Sequence, residues 1–323
     1  MKRVVVFEPY VGGFNTGDLI IKQAILKHLT QLKKDIQVYF VSLHQPVTQV
    51  QRRRLAKADL AIVAGSNMLT GRYRLPTRPN RWAISLLDIP VLKGKVVLCG
   101  VGWASPRYRT NPLGRFMYQS VLAKDVLHSV RDSYTLERVR EDLGILNVLN
   151  TSCPTLWDVV ASDIPERKGR KVVTTLTDYS PDPERDRQML NVLLRRYEEV
   201  FFWPQGYNDW YYLSSLNVKG ISVLDPALEA FDELLRSERE LDYVGTRLHG
   251  GVRAMQHGRR TLIVSIDHRS ASIARDVGLC VVSRSDATAD TIESVIEGPI
   301  RLELRLPQDS ISRWKESLAE RLS

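Results

Sequence analysis

The sequence predicts an α/β protein of two doubly wound domains in tandem, and three observations carry that expectation. Apolar runs of about four to six residues alternate with segments of helical period, the pattern of βαβ units on a parallel sheet. The alternation restarts after Ser162-Asp163-Ile164-Pro165-Glu166-Arg167-Lys168-Gly169-Arg170, a polar stretch whose Pro and Gly read as a linker. At 323 residues the chain is long for a single core and suits two domains, 1–163 and 164–323.

The first series opens with an apolar run at 4–7 and a helix over 18–32, where Ile20, Ile21, Ala24, Ile25 and His28 recur at helical spacing. Further strands are expected at 38–41, 60–64, 96–99 and 126–130. The second series places strands at 171–175, 200–203, 221–224, 241–244, 261–266 and 279–282. Helices fall at 183–195, 227–236, 248–257 and 271–277, and an amphipathic helix over 310–322 closes the second domain. Such sheets bind ligands beyond the carboxyl ends of their strands, so strand-end loops and the interdomain cleft are the expected site.

Apolar residues are 43% of the chain and charged ones 26%, which suits folding and argues against extensive disorder. Cys99, Cys153 and Cys280 are scattered and form no C-x-x-C pair, so buried thiols in a reducing compartment are expected. Met1-Lys2-Arg3 precedes an apolar run too short for a signal peptide, and no uncharged run approaches the ~20 residues of a membrane span. The expected location is the cytoplasm. A net charge of +9 attracts anions, and basic residues cluster at 52–54, 72–81 and 107–115. The segment from Gly71 to Trp82 interleaves arginine with aromatics, which could grip single-stranded nucleic acid, while a solvated loop, an anionic acceptor or peripheral contact with the inner face of an anionic membrane accounts for it at least as well. No RNA-binding signature accompanies it, which argues against nucleic acid as a partner.

The most informative stretch is Leu241-Asp242-Tyr243-Val244-Gly245-Thr246-Arg247-Leu248-His249-Gly250-Gly251-Val252-Arg253-Ala254. A strand ends in glycine and delivers Arg247 and His249 to a helix start, where unpaired N–H groups and the helix dipole attract anions. Arg247 adds a bidentate fork for carboxylate or phosphate, and His249 can exchange a proton near neutral pH. Arg131, just before the helix-capping pair Asp132-Ser133, is the first-domain counterpart. Alone it reads as an ion-pair partner; set against Arg247 across a cleft it becomes a second clamp.

Other strand ends carry weaker signals. The glycines of the loop from Glu8 to Asp18 match neither the dinucleotide nor the P-loop spacing, and Asn15, Thr16 and Asp18 read equally as helix caps or ligand contacts. Gly65 and Ser66 sit where a crevice opens, although a tight turn alone explains them. Gln205, Asp209 and Trp210 lie in an aromatic-rich strand end that suits the hydroxyls and ring faces of a sugar. No histidine has partners at metal-ligand spacing and no G-x-S-x-G elbow occurs, so neither a metal nor a hydrolase triad is expected.

Taken together, these residues resemble the polysaccharide pyruvyl transferases. The resemblance rests on Asn15 with Gly17-Asp18, on Val130-Arg131-Asp132-Ser133, and above all on the block from Arg247 to Ala254. That block is followed by Gly258, Asp267-His268-Arg269 and Ile273-Ala274-Arg275-Asp276-Val277-Gly278. The sequence departs from the family pattern in its thinned Gly65-Ser66-Asn67 run, in Arg269 where lysine is common, and in added residues around Gly12 and Gly13.

The resemblance implies two Rossmann-like domains similar to GT-B glycosyltransferases, and phosphoenolpyruvate as co-substrate with no other cofactor. Members transfer its carboxyethylidene unit to two hydroxyls of a sugar, forming a pyruvate ketal and releasing phosphate. Arg131, Arg247 and His249 match positions the family uses for donor binding and catalysis, with Leu248, Gly250 and Arg269 beside them. Asn15, Asp18, Gly65, Ser66, Gln205, Asp209 and Trp210 then fall to the acceptor, a sugar, glycan or lipid-linked glycan of a cell-surface polymer. Two other readings stay open from the residues: a GT-B glycosyltransferase using a nucleotide sugar, and a non-catalytic protein of this fold that binds polyanions or membranes.

Overall fold

The computed structural model describes residues 1–13, 15–73, 81–104 and 110–323, without the side chains of 268 and 269. Within the basic segments, 74–80 and 107–109 therefore lie outside the described residues, as does the side chain of Arg269. The chain divides into two units, Met1–Gly13 with Ile21–Trp157 and Leu306–Ser323, and Phe14–Ile20 with Asp158–Arg305.

The first unit contains β1 (Lys2–Glu8), most of α1 (Thr16–Leu32), β2 (Ile36–Ser42), α2 (Gln49–Ala56), β3 (Leu60–Ala64), α3 (Ile89–Leu92) and β4 (Val96–Cys99). It continues through α4 (Pro112–Val121), β5 (His128–Val130), α5 (Ser133–Glu141) and β6 (Val148–Asn150). The sheet is parallel in the order β2-β1-β3-β4, and the parallel pair β5-β6 joins it through a bridge between Val101 and Val130. Both faces are covered, which is why the strands read as unbroken apolar runs. Val5, Phe7, Ala61, Val63 and Leu98 pack against α2 to α5, while Val4, Val6, Ile62 and Val97 pack against α1. β6 was not among the expected strands; only the first of its three residues is buried, so it carries little apolar signal.

His128 shows how β5 is held. The Leu98 N–H donates to its Nδ1 at 3.3 Å, and its Nε2–H donates to the Ala123 carbonyl at 2.9 Å, so the ring is the neutral Nε2–H tautomer. Burial pushes its pKa down from 6.5 to about 4. Protonation therefore favours the unfolded chain. Stability contributed by neutral His128 is complete above pH 6.5 and is lost as pH falls toward 4, by about 3 kcal/mol in total. Urea unfolding followed across that window checks this, and His128→Gln should flatten the slope.

The second unit contains β7 (Lys171–Thr174), α6 (Pro183–Arg196), β8 (Glu199–Phe202), α7 (Asp209–Ser215), β9 (Ile221–Val223), α8 (Leu228–Ser237) and β10 (Leu241–Gly245). After these come α9 (Leu248–Gln256), β11 (Thr261–Ser265), α10 (His268–Val277), β12 (Val281–Ser283) and α11 (Ala289–Glu297). Its six strands form a parallel sheet in the order β12-β11-β10-β7-β8-β9. The chain winds out one side of β7 through β8 and β9, then out the other through β10 to β12. The topological switch point thus lies between β7 and β10, where such sheets open a binding crevice.

At the amino end of β10, buried Asp242 is held by Arg260 Nη1 at 2.7 Å, the Tyr197 hydroxyl at 2.8 Å and the Gly169 N–H at 3.1 Å. That is a structural lock far along the strand from the crevice end. His257 caps the carboxyl end of α9 and Gly258 follows at φ 68°, the stop that the sequence signalled.

The last helix, α12 (Gln308–Leu322), carries Ile311, Trp314, Leu318 and Leu322 on its buried face. The sequence grouped it with the second domain, but Trp314, Leu318 and Leu322 pack in the core of the first unit, with Trp314 against Trp157 at 5.7 Å. Periodicity shows that the helix has an apolar face and says nothing about which sheet covers it.

Candidate functional site

In the second unit the site is built from loops that follow three neighbouring strands, β10, β7 and β8. Arg247 is the residue before α9 and is 4% exposed. Its Nε–H reaches the Leu176 carbonyl at 2.9 Å and Asp209 Oδ2 at 3.1 Å, and its Nη2 reaches Asp178 Oδ1 at 2.9 Å and Asp209 Oδ1. Its guanidinium also lies 5.1 Å from the centre of the Tyr179 ring. Nη1 makes no hydrogen bond among the described residues.

Asp209 is the hub of this arrangement. It is fully buried, and besides Arg247 it accepts from the Gly206 N–H at 2.7 Å and the Asp178 N–H at 3.1 Å. Burial raises its pKa, opposed by the Arg247 charge and by these hydrogen bonds. Burial also opposes the charge on Arg247, but the adjacent Asp209 carboxylate outweighs it and holds the guanidinium pKa up. The arginine stays cationic. Gly206 is required here, because a side chain at that position would meet Arg247 Nη2 and Asp209 Oδ1.

Two expectations change. Asp209, expected at the acceptor, is an internal partner of Arg247 with no surface of its own. Arg247, expected as an open fork, has two of its three nitrogens committed to the protein, because a buried guanidinium requires compensating carboxylates. It fixes the start of α9 through these bonds.

The first turn of α9 has no side-chain cap, since Arg247 supplies no acceptor. His249 sits in that turn and is half-buried, as is Leu248. Gly250, expected beside the donor, is buried in the first turn of α9 against the Tyr243 hydroxyl and Gln205 Oε1, and its missing side chain makes room for them. Gln205 is 3% exposed, and its Nε2 donates to Asn15 Oδ1 at 2.8 Å. Asn15 Oδ1 also accepts from the Gly17 N–H at 3.1 Å, while the Thr16 N–H donates to the Gln205 carbonyl at 2.9 Å. Asn15 and Gln205, far apart in sequence, therefore form one bonded pair. Gln205 Oε1 meets no donor among the described residues. Asp18 is half-buried in the first turn of α1, and Trp210 is 48% exposed at the start of α7.

In the first unit Arg131 follows β5 and is 3% exposed. Its Nη2 donates to Asn67 Oδ1 and its Nε–H to Asp132 Oδ2 at 3.4 Å, while Asp132 Oδ1 caps α5 through the Thr135 N–H at 2.7 Å. Arg131 is thus an ion-pair partner as well as a candidate ligand. Gly65 at φ 59° and Ser66 at φ 61° form a left-handed turn after β3 that brings Asn67 to Arg131. For serine that backbone costs about 1–2 kcal/mol. Gly65 is buried against Ile21, so its role is the turn. Gly102 admits Arg131 and Asn67 at its Cα, where no side chain would fit.

Residues that sequence reasoning missed are Asn67, Asp178 and Tyr179. Each lies within a few residues of a strand's carboxyl end, and that position was the one available signal. Among the described residues, no group of metal-binding side chains gathers and no helix is long and apolar enough to cross a membrane.

The model of the polysaccharide pyruvyl transferase family matches residues 15–268. The chain belongs to the polysaccharide pyruvyl transferase family. That membership makes it a transferase acting on polysaccharide, with a sugar or glycan as acceptor. Among curated proteins the sequence finds no match. Among solved structures, the chain is similar to the UDP-GlcNAc 2-epimerase of Methanocaldococcus jannaschii in complex with UDP-GlcNAc and UDP, at 10% identity and TM-score 0.53, over 100% of this chain and 99% of that one. It is also similar to S. aureus MnaA in its UDP co-structure, at 9% identity and TM-score 0.56, over 100% and 96%. A glycosyltransferase from Rickettsia africae ESF-5 matches at 12% identity and TM-score 0.50, over 99% and 93%. These likenesses establish the fold, the GT-B type with two parallel-sheet domains.

Proposed function

We propose that this protein transfers the carboxyethylidene unit of phosphoenolpyruvate to two hydroxyls of a sugar in a cell-surface glycan or its precursor, giving a pyruvate ketal and phosphate. The observation that carries this reading is the family match over 15–268, which contains Arg131, Arg247 and His249. The local geometry supports it. Phosphoenolpyruvate is a small multiply charged anion, and the uncapped start of α9 offers backbone N–H groups and a positive dipole end, with the cationic Arg247 held beside it.

In this reading a proton delivered to the methylene carbon makes a methyl group and leaves an oxocarbenium-like centre that one sugar hydroxyl attacks. Departure of phosphate regenerates that centre, and the second hydroxyl closes the ketal. The two hydroxyl protons leave, one balancing the new methyl C–H and the other ending on phosphate. His249 transfers the proton, while α9 and Arg247 stabilise the departing charge.

Calorimetry of phosphoenolpyruvate binding, followed by phosphate release on adding acceptor glycan, tests the assignment. Native protein is expected to bind phosphoenolpyruvate and Arg247→Ala to bind it at least about tenfold more weakly. Binding of a UDP-sugar with none of phosphoenolpyruvate would overturn the reading.

A further inference from the structure

Four of the seven exposed aromatic side chains among the described residues lie just past two strands of the second unit, Tyr179 (60% exposed) and Tyr207 (67%) in loops and Trp210 (48%) and Tyr211 (62%) in the first turn of α7. Tyr179 follows β7 and the other three follow β8, its neighbour in the sheet. The two loops are bolted together beneath these rings. Asp209 accepts from the N–H of Asp178, next to Tyr179, and from the N–H of Gly206, next to Tyr207, and is itself next to Trp210. The Trp210 and Tyr211 rings meet edge to face at 5.4 Å. Buried polar bonds thus hold four large, mostly exposed rings at one surface of the unit.

We infer that these rings form a platform for the glycan acceptor, an extension of the proposed pyruvyl-transfer reading and dependent on it for the identity of the ligand. Three of the four rings carry a hydroxyl and the fourth an indole N–H, so each offers a flat apolar face for sugar C–H groups and a polar rim for hydroxyls. Tyrosine and tryptophan supply that area with few rotatable bonds, so binding orders little. The surrounding charge points to a neutral sugar rather than a lipid surface. No lysine or arginine occurs from Thr174 to Glu184 or from Phe202 to Val218, and Arg185, Arg247 and Arg284, which reach these segments from elsewhere, are each paired with a carboxylate, Asp182, Asp178 with Asp209, and Asp186 respectively. A membrane-docking face would gather basic residues beside its aromatics.

The test titrates native protein, Trp210→Ala, Tyr211→Ala and the triple variant Tyr207→Ala/Trp210→Ala/Tyr211→Ala with short malto-, cello- and galacto-oligosaccharides, without phosphoenolpyruvate. These side chains are exposed, so the variants should fold, which their unfolding midpoints check. Native protein is expected to bind at least one series, each single variant to bind it about tenfold more weakly, and Trp210→Phe to restore most of the affinity. Binding to none of the three series, or equal binding by the triple variant, overturns the platform. So does binding to phosphatidylglycerol vesicles that the triple variant loses, because the rings would then face lipid. Phosphate release separates the two claims. Phosphoenolpyruvate turnover with an unchanged acceptor KM in the triple variant sinks the platform alone, whereas ring-dependent glycan binding without any turnover sinks the transfer reading and leaves the platform standing.

Discussion

Asp209→Ala is expected to cost about 3–5 kcal/mol of folding stability, the range for stripping the partner from a buried charge. The carboxylate is fully buried, Arg247 is 4% exposed, and Asp178 would remain as the guanidinium's carboxylate partner. The N–H groups of Gly206 and Asp178 would lose their acceptor as well. Asp178→Ala should cost less, about 1 kcal/mol, because its side chain is 20% exposed and accepts one of the guanidinium's bonds. Urea unfolding of both variants measures the difference. If Asp209→Ala stays within about 1 kcal/mol of native, Asp209 is not the hub and Arg247 is held some other way. The pair Arg247→Met/Asp209→Leu should recover much of the loss, since apolar side chains of similar volume replace buried ion pairs at little cost.

His249→Ala is expected to lower phosphoenolpyruvate-dependent phosphate release by about 10²–10⁴-fold, the usual contribution of a positioned proton donor. The residue is half-buried in the first turn of α9, and the unfolding midpoint measured alongside separates a loss of chemistry from a loss of fold. Calorimetry alongside the kinetics separates two roles. A proton donor leaves the Kd for phosphoenolpyruvate within a small factor of native and moves the pH profile of kcat. A collapse of binding with kcat preserved would make His249 a ligand of the donor's charge instead.

Both effects depend on neighbours that the linear sequence conceals. The strand ending at Gly245 and the helix beginning at Leu248 were legible because apolar periodicity and glycine punctuation act over a few residues. Arg247 and His249 were therefore placed at a helix start from the sequence. That Arg247 is clasped by Asp178 and Asp209 was not legible, because those carboxylates lie 69 and 38 residues away and reach it through the order β10-β7-β8. The same holds for Asn15 and Gln205, which are 190 residues apart. The run Gly65-Ser66-Asn67 was noticed, but not that Asn67 partners Arg131, because only the left-handed turn brings the asparagine side chain there.

By itself, then, the sequence determined the alternation of strands and helices, the doubly wound class, the helix starts that carry Arg131 and Arg247, and the family to which they belong. Those properties follow from local backbone preferences and the burial of short apolar runs. Only the tertiary structure decided that Asp209 is a buried hub for Arg247, that Gly250 leaves room for Tyr243 and Gln205, and that α12 completes the first unit's core. The reason is physical. A residue's secondary structure is set largely by its near neighbours, whereas which charge pairs with which, and which sheet covers an apolar helix face, is set by strand order that no local pattern encodes.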